Sequence, residues 1–352
     1  MEVKPAVAPW HERSVLLLGC GSIGRRHARV LRSMGVIDLR LYDIESTKAE
    51  ALATDIRGAR VERSVEEALD RTPDAVYVLT PPEHHVPLAV RALASGAHVF
   101  CEKPLSTSTQ ELSVLSDAIV TSGKCFMVGL CFRFHPGLRR MHRLVVGEGA
   151  AGRVLSIRAF VGEHLPTVRP DYRTLFSADS VGVFDLVHDL DLVMWLAGGP
   201  PHTVHSIHGS FSGIGINAPD VAEVIMAFPG GTLGSVHLDY FLRPRRRYLE
   251  ALGLDGTIRI EFEDWNTYAI TTTPASGNAT REVSVTDRDE MFRNENGHFM
   301  NAIVHGAPIT TGLAEGSWTV ELLERLKLGE GKQEPARAST RHTSHRSVEA
   351  NT

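Results

Sequence analysis

The chain reads as α/β in its first part, with a doubly wound parallel sheet, and as α+β in its second, with an open, mostly antiparallel sheet. Three features predict this. A short apolar run, Ser14 to Leu18, enters the turn Gly19-Cys20-Gly21-Ser22-Ile23-Gly24 and then a helical pattern. Strand-length apolar runs alternate with helical patterns as far as residue 130. Beyond Gly198-Gly199-Pro200, strand-like runs follow one another, with hairpin signals at Pro229-Gly230-Gly231 and Asp255-Gly256. The expected units are residues 1–130, residues 131–329, and an aperiodic polar tail at 330–352, expected to be disordered.

Composition narrows the function classes. The 352 residues allow two domains with ordinary cores. Hydrophobic residues make up 43% and charged residues 22%, as in soluble globular proteins. Net charge is −5, and the densest basic cluster, Arg243 to Arg247, is short and broken by Pro244. Neither points to nucleic acid or an anionic membrane. Met1 to Arg13 lacks the apolar segment of a signal peptide, and no run approaches the ~20 apolar residues of a membrane helix. Cys20, Cys101, Cys125 and Cys131 show no C-x-x-C spacing. A cytoplasmic protein without disulfides or a metal is expected.

In the first unit, the glycine turn lies between a strand and a helix, the context that gives G-x-G-x-x-G its meaning. Gly19 permits the tight turn, Gly21 lets a pyrophosphate approach the backbone, and Gly24 lets helix and strand pack closely. The N–H groups of the helix start, at Ser22 and Ile23, face the phosphates with the helix dipole behind them. Ile23, His27, Val30, Leu31 and Met34 form the buried helix face. The run Leu39 to Tyr42 ends in Asp43, 19 residues after Gly24. That is close to the ~20 expected for an acid on the adenosine ribose. Such a carboxylate repels a 2′-phosphate and favours NAD over NADP, while Arg40 and Lys48 weigh the other way. The alternative for Asp43 is a turn residue capping the next helix.

Ala75 to Leu79 ends in Thr80-Pro81-Pro82, a loop at a strand end. His84 to Ala94 reads as a helix, with His84 a candidate for the cofactor side. Ala97 to Cys101 reads as a buried strand closed by Glu102-Lys103-Pro104, since Pro104 has no N–H for the ladder. Lys103 is therefore expected at the carboxyl end of a strand, where open α/β sheets place ligands. Partly desolvated there, it lowers its pKa and exchanges protons; the alternative is a solvated surface lysine. Thr107 to Ile119 reads as a helix and Cys125 to Leu130 as a strand.

In the second unit, Phe134 to Val146 reads as a helix and Val154 to Gly162 as a strand. Arg169 to Arg173 is polar and irregular. A helix from about Asp185 to Leu196 follows, with Asp185 and His188 at i, i+3 on one face. A carboxylate beside an imidazole supplies a general acid/base pair; the alternative is a dipole-stabilised helix start with a solvated histidine. An antiparallel sheet of about six strands comes next, then helices at Asp289 to Val304 and Ala314 to Leu328.

These motifs together resemble the Gfo/Idh/MocA family of NAD(P)-dependent oxidoreductases over about Ser14 to Leu328. The resemblance is carried by GCGSIGRRH at Gly19 to His27, Thr80 to Pro82, Glu102-Lys103-Pro104, FRFHP at Phe132 to Pro136, DLVHDLD at Asp185 to Asp191, and LDYFLRP at Leu238 to Pro244. It implies an amino-terminal Rossmann domain and a second domain for substrate binding and for assembly into a homodimer or homotetramer. It implies NAD, held by Gly19, Gly21, Ser22, Ile23, Gly24, Asp43, Thr80, Pro81, His84, Glu102 and Lys103. It also implies Lys103, Asp185 and His188 as catalytic residues. Many members place the acid four residues before the histidine; here that position is Phe184, and Asp185 stands three before.

The reaction this implies is oxidation of a secondary hydroxyl of a sugar, aminosugar, sugar nucleotide or cyclitol to a ketone. Ring carbon 3, feeding transamination in aminosugar biosynthesis, is the favoured position. His188 is expected to be the general base, because its ordinary pKa lies near the working pH. Lys103 would stabilise the developing negative charge, and Asp185 would orient the substrate or the imidazole. Arg133, His135, Tyr172 and Arg173 are candidates for sugar hydroxyls, a phosphate or a nucleotide, or equally for structural roles. The alternatives are NAD-using redox-assisted glycoside cleavage, reduction of a C=N bond, and a non-catalytic NAD-binding regulator.

Overall fold

The computed structural model describes residues 10–175 and 181–327. The expected tail at 330–352, and Leu328 at the end of the last expected helix, lie outside the described residues.

The first sheet has six parallel strands: β1 (Ser14–Leu18), β2 (Asp38–Tyr42), β3 (Arg60–Val61), β4 (Ala75–Val78), β5 (His98–Glu102) and β6 (Phe126–Gly129). Their order is β3-β2-β1-β4-β5-β6. Every position of β4 and β6 is buried, as expected of a parallel sheet covered on both faces. The sequence gives no sign of β3, because its two residues are exposed at the sheet edge and form no apolar run. The order reverses between β1 and β4, and the crevice outside the strand ends at that point is where such sheets bind ligands. Glycine is obligatory in the β1 turn. A Cβ on Gly24 would lie 2.1 Å from the Gly19 carbonyl oxygen, and Gly19 itself has φ +107° against the Leu79 carbonyl.

The second sheet has eight strands rather than about six: β7 (Val154–Gly162), β8 (Thr203–Gly209), β9 (Val221–Ala227), β10 (Leu233–Asp239), β11 (Arg246–Gly253), β12 (Gly256–Phe262), β13 (Thr267–Pro274) and β14 (Thr280–Val285). The order is β14-β13-β12-β11-β7-β10-β9-β8. All pairs are antiparallel except β7 with β10. β7 is set apart in the sequence by the central helix, yet it joins the middle of the sheet. Burial alternates along β9, so one face is packed and the other is open. Helices Pro136–His142, Val187–Ala197 and Leu313–Lys327 contact the packed side. The open side exposes Ile207, Ile225, Leu233 and Val283.

Two helices depart from expectation. The expected Phe134–Val146 helix is a 3₁₀ turn (Cys131–Phe134), a helix (Pro136–His142) and a π-helical turn (Arg143–Gly147). His135 caps the middle piece by accepting from the Gly137 N–H, and Pro136 takes its first position, where no N–H is needed. The central helix begins at Val187, not Asp185. Asp185 ends a 3₁₀ turn, Gly182–Asp185, seated on the Pro219 carbonyl through the Val183 N–H at 2.7 Å.

The helix Glu290–His305 packs on the first sheet, while Met291 and Phe292 at its start enter the core of the second. Phe299, Met300 and Ile303 enter the core containing Tyr77 and Phe100, which stack with centroids 4.8 Å apart. Among the described residues no helix is long and apolar enough to cross a membrane.

Candidate active site

Lys103 follows directly on β5 at the ligand-binding edge of the first sheet. Its Nζ donates to Asp185 Oδ1 at 3.1 Å and to the Asp185 carbonyl at 3.2 Å. This contact joins the two domains. Burial works against the ammonium charge, but the carboxylates of Asp185 and Glu102 outweigh it and hold the pKa above the ordinary lysine value. The expectation of a lowered lysine pKa is thus corrected: desolvation is present, and the two acids override it. On the other side, Lys103 holds the Asp185 pKa below the usual carboxylate range against the cost of burial. Arg169, 3.9 Å from Asp185 Oδ2, adds to this.

Behind Lys103 lies a buried relay of hydrogen bonds. The Lys103 N–H donates to Glu102 Oε2 at 2.9 Å, and Glu102 Oε1 lies 3.2 Å from His27 Nε2. The Asn296 amide donates to His27 Nδ1 at 3.3 Å, which assigns the ring proton to Nε2, facing Glu102. Glu102, expected at the cofactor, is therefore also the brace of the lysine turn.

His188 does not pair with Asp185; among the described residues no hydrogen bond joins them, because Asp185 is engaged by Lys103. The imidazole stacks on Phe132, with centroids 4.4 Å apart at 6°, and Nε2 lies 3.9 Å from Cys131 Sγ. Nδ1 is buried and meets no partner among the described residues. Burial, then the Lys103 and Arg247 cations, push the His188 pKa well below the ordinary imidazole value. This corrects the expectation of a pKa near the working pH. Lys103, Asp185 and His188 nevertheless interact electrostatically at one point between the domains.

The glycine turn fits a dinucleotide. Gly21 caps the helix Ser22–Ser33 with extended backbone and no side-chain cap, and that first turn holds no acid. Nothing lies within 4 Å of where a Gly21 Cβ would stand, which leaves room for a phosphate. Gly21 and Ser22 are exposed, and Ile23 is half-buried. Asp43 accepts from the Cys20 N–H at 2.7 Å and the Glu45 N–H at 2.9 Å, which fixes its carboxylate beside the turn. Arg40 is held by Asp38 at 2.8 Å and Lys48 by Glu45 at 2.6 Å. Both cations that weighed toward NADP thus carry their own counter-charge. At the end of β4, the Thr80 hydroxyl is buried without a partner among the described residues, and Pro81 is exposed. His84 is exposed too; its neighbour His85 points inward, its ring nitrogens 2.7 Å from the Thr80 carbonyl and 2.8 Å from the Pro104 carbonyl.

The four proposed substrate contacts have structural partners, although His135 Nε2 is buried and meets none among the described residues. Arg133 makes a buried two-pronged pair with Asp191, at 2.9 and 2.6 Å, and lies over the rings of Trp195 and Trp318. His135 caps its helix between Phe262 and Tyr268, and burial lowers its pKa to about 4. The Tyr172 hydroxyl donates to the Ile214 carbonyl at 2.7 Å, and Arg173 donates to that hydroxyl at 3.1 Å. These partners lie far along the chain or inside the same turn, so spacing gave no warning of them. Residues passed over are Glu163, Arg245, Arg247 and Trp265, which gather around one indole, with Arg247 also acting on His188. Their one sequence signal was the basic cluster Arg243 to Arg247.

A Rossmann crevice, a cradle for a pyrophosphate and a lysine charge at the strand end define a nicotinamide-dependent oxidoreductase. Residues 13–130 match the model of an oxidoreductase family with an NAD-binding Rossmann fold, and residues 139–259 match the GFO/IDH/MocA C-terminal domain. The inositol 2-dehydrogenase of Leifsonia xyli subsp. xyli is 31% identical over 253 residues, 69% of this chain and 71% of that protein. Myo-inositol dehydrogenase Hyg17 of Streptomyces leeuwenhoekii is 29% identical over 211 residues, 60% of this chain and 62% of that one. GenD2 from gentamicin A biosynthesis, solved in complex with NAD, matches with TM-score 0.76 and 25% identity, covering 94% of this chain and 97% of that one. The chain spans about two thirds of the length of the curated relatives it matches. It belongs to the Gfo/Idh/MocA family of oxidoreductases.

Asp191 is fully buried, and among the described residues its charge is met by Arg133 alone. Arg133→Ala should therefore destabilise the fold by about 3–5 kcal/mol, since it strands a buried carboxylate. Urea unfolding checks this; an unchanged midpoint would return Arg133 to the substrate-binding candidates.

Proposed function

We propose that the protein oxidises a secondary hydroxyl of a sugar, aminosugar, sugar nucleotide or cyclitol to a ketone, with NAD as hydride acceptor. The observation that carries this reading is the charged Lys103, anchored by Asp185 beside the neutral His188. The names of the inositol dehydrogenase relatives support a polyhydroxylated ring as substrate. Gly19, Gly21, Ser22, Ile23 and Gly24 would hold the pyrophosphate, and Asp43 the adenosine ribose. Thr80, Pro81 and Glu102 would stand at the nicotinamide side, with His84 at the rim. When bound, NAD supplies the acceptor for the hydride that leaves the alcohol carbon.

The chain's own residues manage the proton and the charge. Lys103 stays an ammonium, so it serves as a donor to the reacting oxygen and not as the base. Asp185 keeps that ammonium charged and aimed. His188 is uncharged and has a lone pair to offer. The alcohol proton goes to that lone pair as the carbonyl forms. The nearby Asp185 carboxylate favours the imidazolium that results. We assign the oxidised hydroxyl to ring carbon 3, a ketone set up for transamination.

Absorbance of NADH with a panel of free sugars, sugar nucleotides, cyclitols and aminoglycoside-like compounds tests this. One substrate group should give NADH, the product should carry its ketone at ring carbon 3 by NMR, and Lys103→Ala should lower kcat by roughly 10²–10³-fold. No turnover despite tight NAD binding would contradict the reading. The pH profile is a second test. His188 accepts a proton only when neutral, and its pKa lies below the ordinary 6.5. Activity should therefore hold at neutral pH and fall only as the pH drops below 6.5. Lys103 donates only when charged, and its pKa lies above the ordinary 10.5, so no alkaline loss should come from it below that value. An acidic limb centred at or above 7 would remove His188 as the base.

A further inference from the structure

We propose that the pocket lined by Phe132, the ring on which His188 stacks, receives one oxygen of an oxyanion carried by the substrate, a carboxylate or a phosphate, on the guanidinium groups of Arg245, Arg247 and Arg288 around Trp265. This rests on the dehydrogenase reading above and names the class of its substrate.

Three like charges converge on one indole. Arg245 lies 4.2 Å from the Trp265 ring centroid, Arg288 4.8 Å and Arg247 5.6 Å. Two carboxylates answer them: Glu163 faces Arg245 Nε at 3.4 Å, and Asp189 accepts from Arg247 Nη2 at 2.8 Å. Asp264 and Asp289 act on Arg245 and Arg288 from farther off. These carboxylates do not use up the donors. Arg245 Nη2, Arg247 Nε and Arg247 Nη1 are buried and have no hydrogen-bond partner among the described residues, although Arg247 is only 4% exposed. Stacking on aromatic rings satisfies the faces of these groups but not the N–H bonds in their planes. Buried donors left in this state cost free energy unless a ligand or water meets them.

The space fits an oxygen-sized group. A cavity of about 10 Å³ is lined by these arginines with Phe132, His135 and Trp265. It has room for one water-sized atom, so a single oxygen of the oxyanion, not the whole group, would enter it. Its place in the site is fixed by Phe132. Arg247 lies over one face of that ring at 4.8 Å, and His188 stacks on the ring with centroids 4.4 Å apart. A substrate reaching from His188 past this ring would bring an acidic substituent to the arginines. Guanidinium forks bind such planar oxyanions through paired N–H donors. A sugar hydroxyl would also accept from these donors, but it would bring no charge to match theirs.

Calorimetry on the NAD-loaded protein tests this with matched probes: D-glucuronate and glucose 6-phosphate, each against D-glucose, and inorganic phosphate alone. An acidic sugar should bind at least about tenfold more tightly than D-glucose, the size expected of one charge-assisted hydrogen bond. That preference should disappear in Arg245→Gln and in Arg288→Gln, each checked for an unchanged melting temperature. Arg288 is exposed, so its replacement keeps the test open if Arg245→Gln fails to fold. Equal affinities within both pairs, including no binding by any sugar, would overturn the proposal. So would a preference that survives in both variants. Phosphate binding that is lost in the variants, without any preference among the sugars, would show a free-anion site and overturn the substrate assignment. NADH formed from a neutral sugar alongside these failures would leave the dehydrogenase reading standing. An intact preference for the acidic sugars without NADH from any substrate would remove that reading alone.

Discussion

The contact between Lys103 and Asp185 joins the carboxyl edge of the parallel sheet to the turn that opens the central helix of the second domain. It fixes the charge state of everything around it. Lysine and aspartate hold each other ionised, in opposite directions, against the burial that penalises both. Burial, and then the same ammonium, push the pKa of the neighbouring imidazole well below its ordinary value. A charged lysine thus stands beside an uncharged imidazole. The proposed oxidation of an alcohol would use that division: one group to stabilise the oxygen as its proton departs, another to take the proton.

The pair is held from behind. Glu102 accepts from the backbone N–H of Lys103 and reaches His27, which is fixed in turn by Asn296 on the helix Glu290–His305. That helix comes late in the chain and lies on the first sheet, where Phe299 meets Tyr77 edge-on at 5.8 Å. The residues nearest the chemistry therefore depend on a segment nearly two hundred residues away (103 against 296). On the other side, the Arg133–Asp191 pair locks the loop after β6 to the central helix, two turns beyond Asp185. The start of the central helix is thus fastened at Asp185 and again at Asp191.

The local chemistry was legible in the sequence. Gly19 and Gly24 carry a requirement that only a tight turn and a close approach impose, and the structure shows both contacts. Pro104 marks the end of β5 because it has no N–H, and so it places Lys103. The charges were not legible in the same way. Whether a desolvated lysine loses or keeps its proton depends on which acids surround it, and Asp185 is 82 residues away. The Arg133–Asp191 pair spans 58 residues, which is why Arg133 looked available for a substrate. Asp185 and His188 do lie close, but a 3₁₀ turn replaces the expected first turn of helix, so the carboxylate points to Lys103. β3 was invisible because two exposed residues carry no pattern. Arg243 to Arg247 was visible, but as a cluster weighed against nucleic acid and not as a wall of this site.

The most direct test of this account is the pKa of Lys103 itself, followed by NMR of the labelled side chain through a pH titration. The account predicts a value above the ordinary 10.5 in the native protein, and a fall when Asp185→Asn removes the partner charge and leaves burial unopposed on that side. A native value below 10.5, or one that does not move in the variant, would contradict it. Lys103 would then be a candidate base, and the Asp185 contact would no longer be what sets the site's charges.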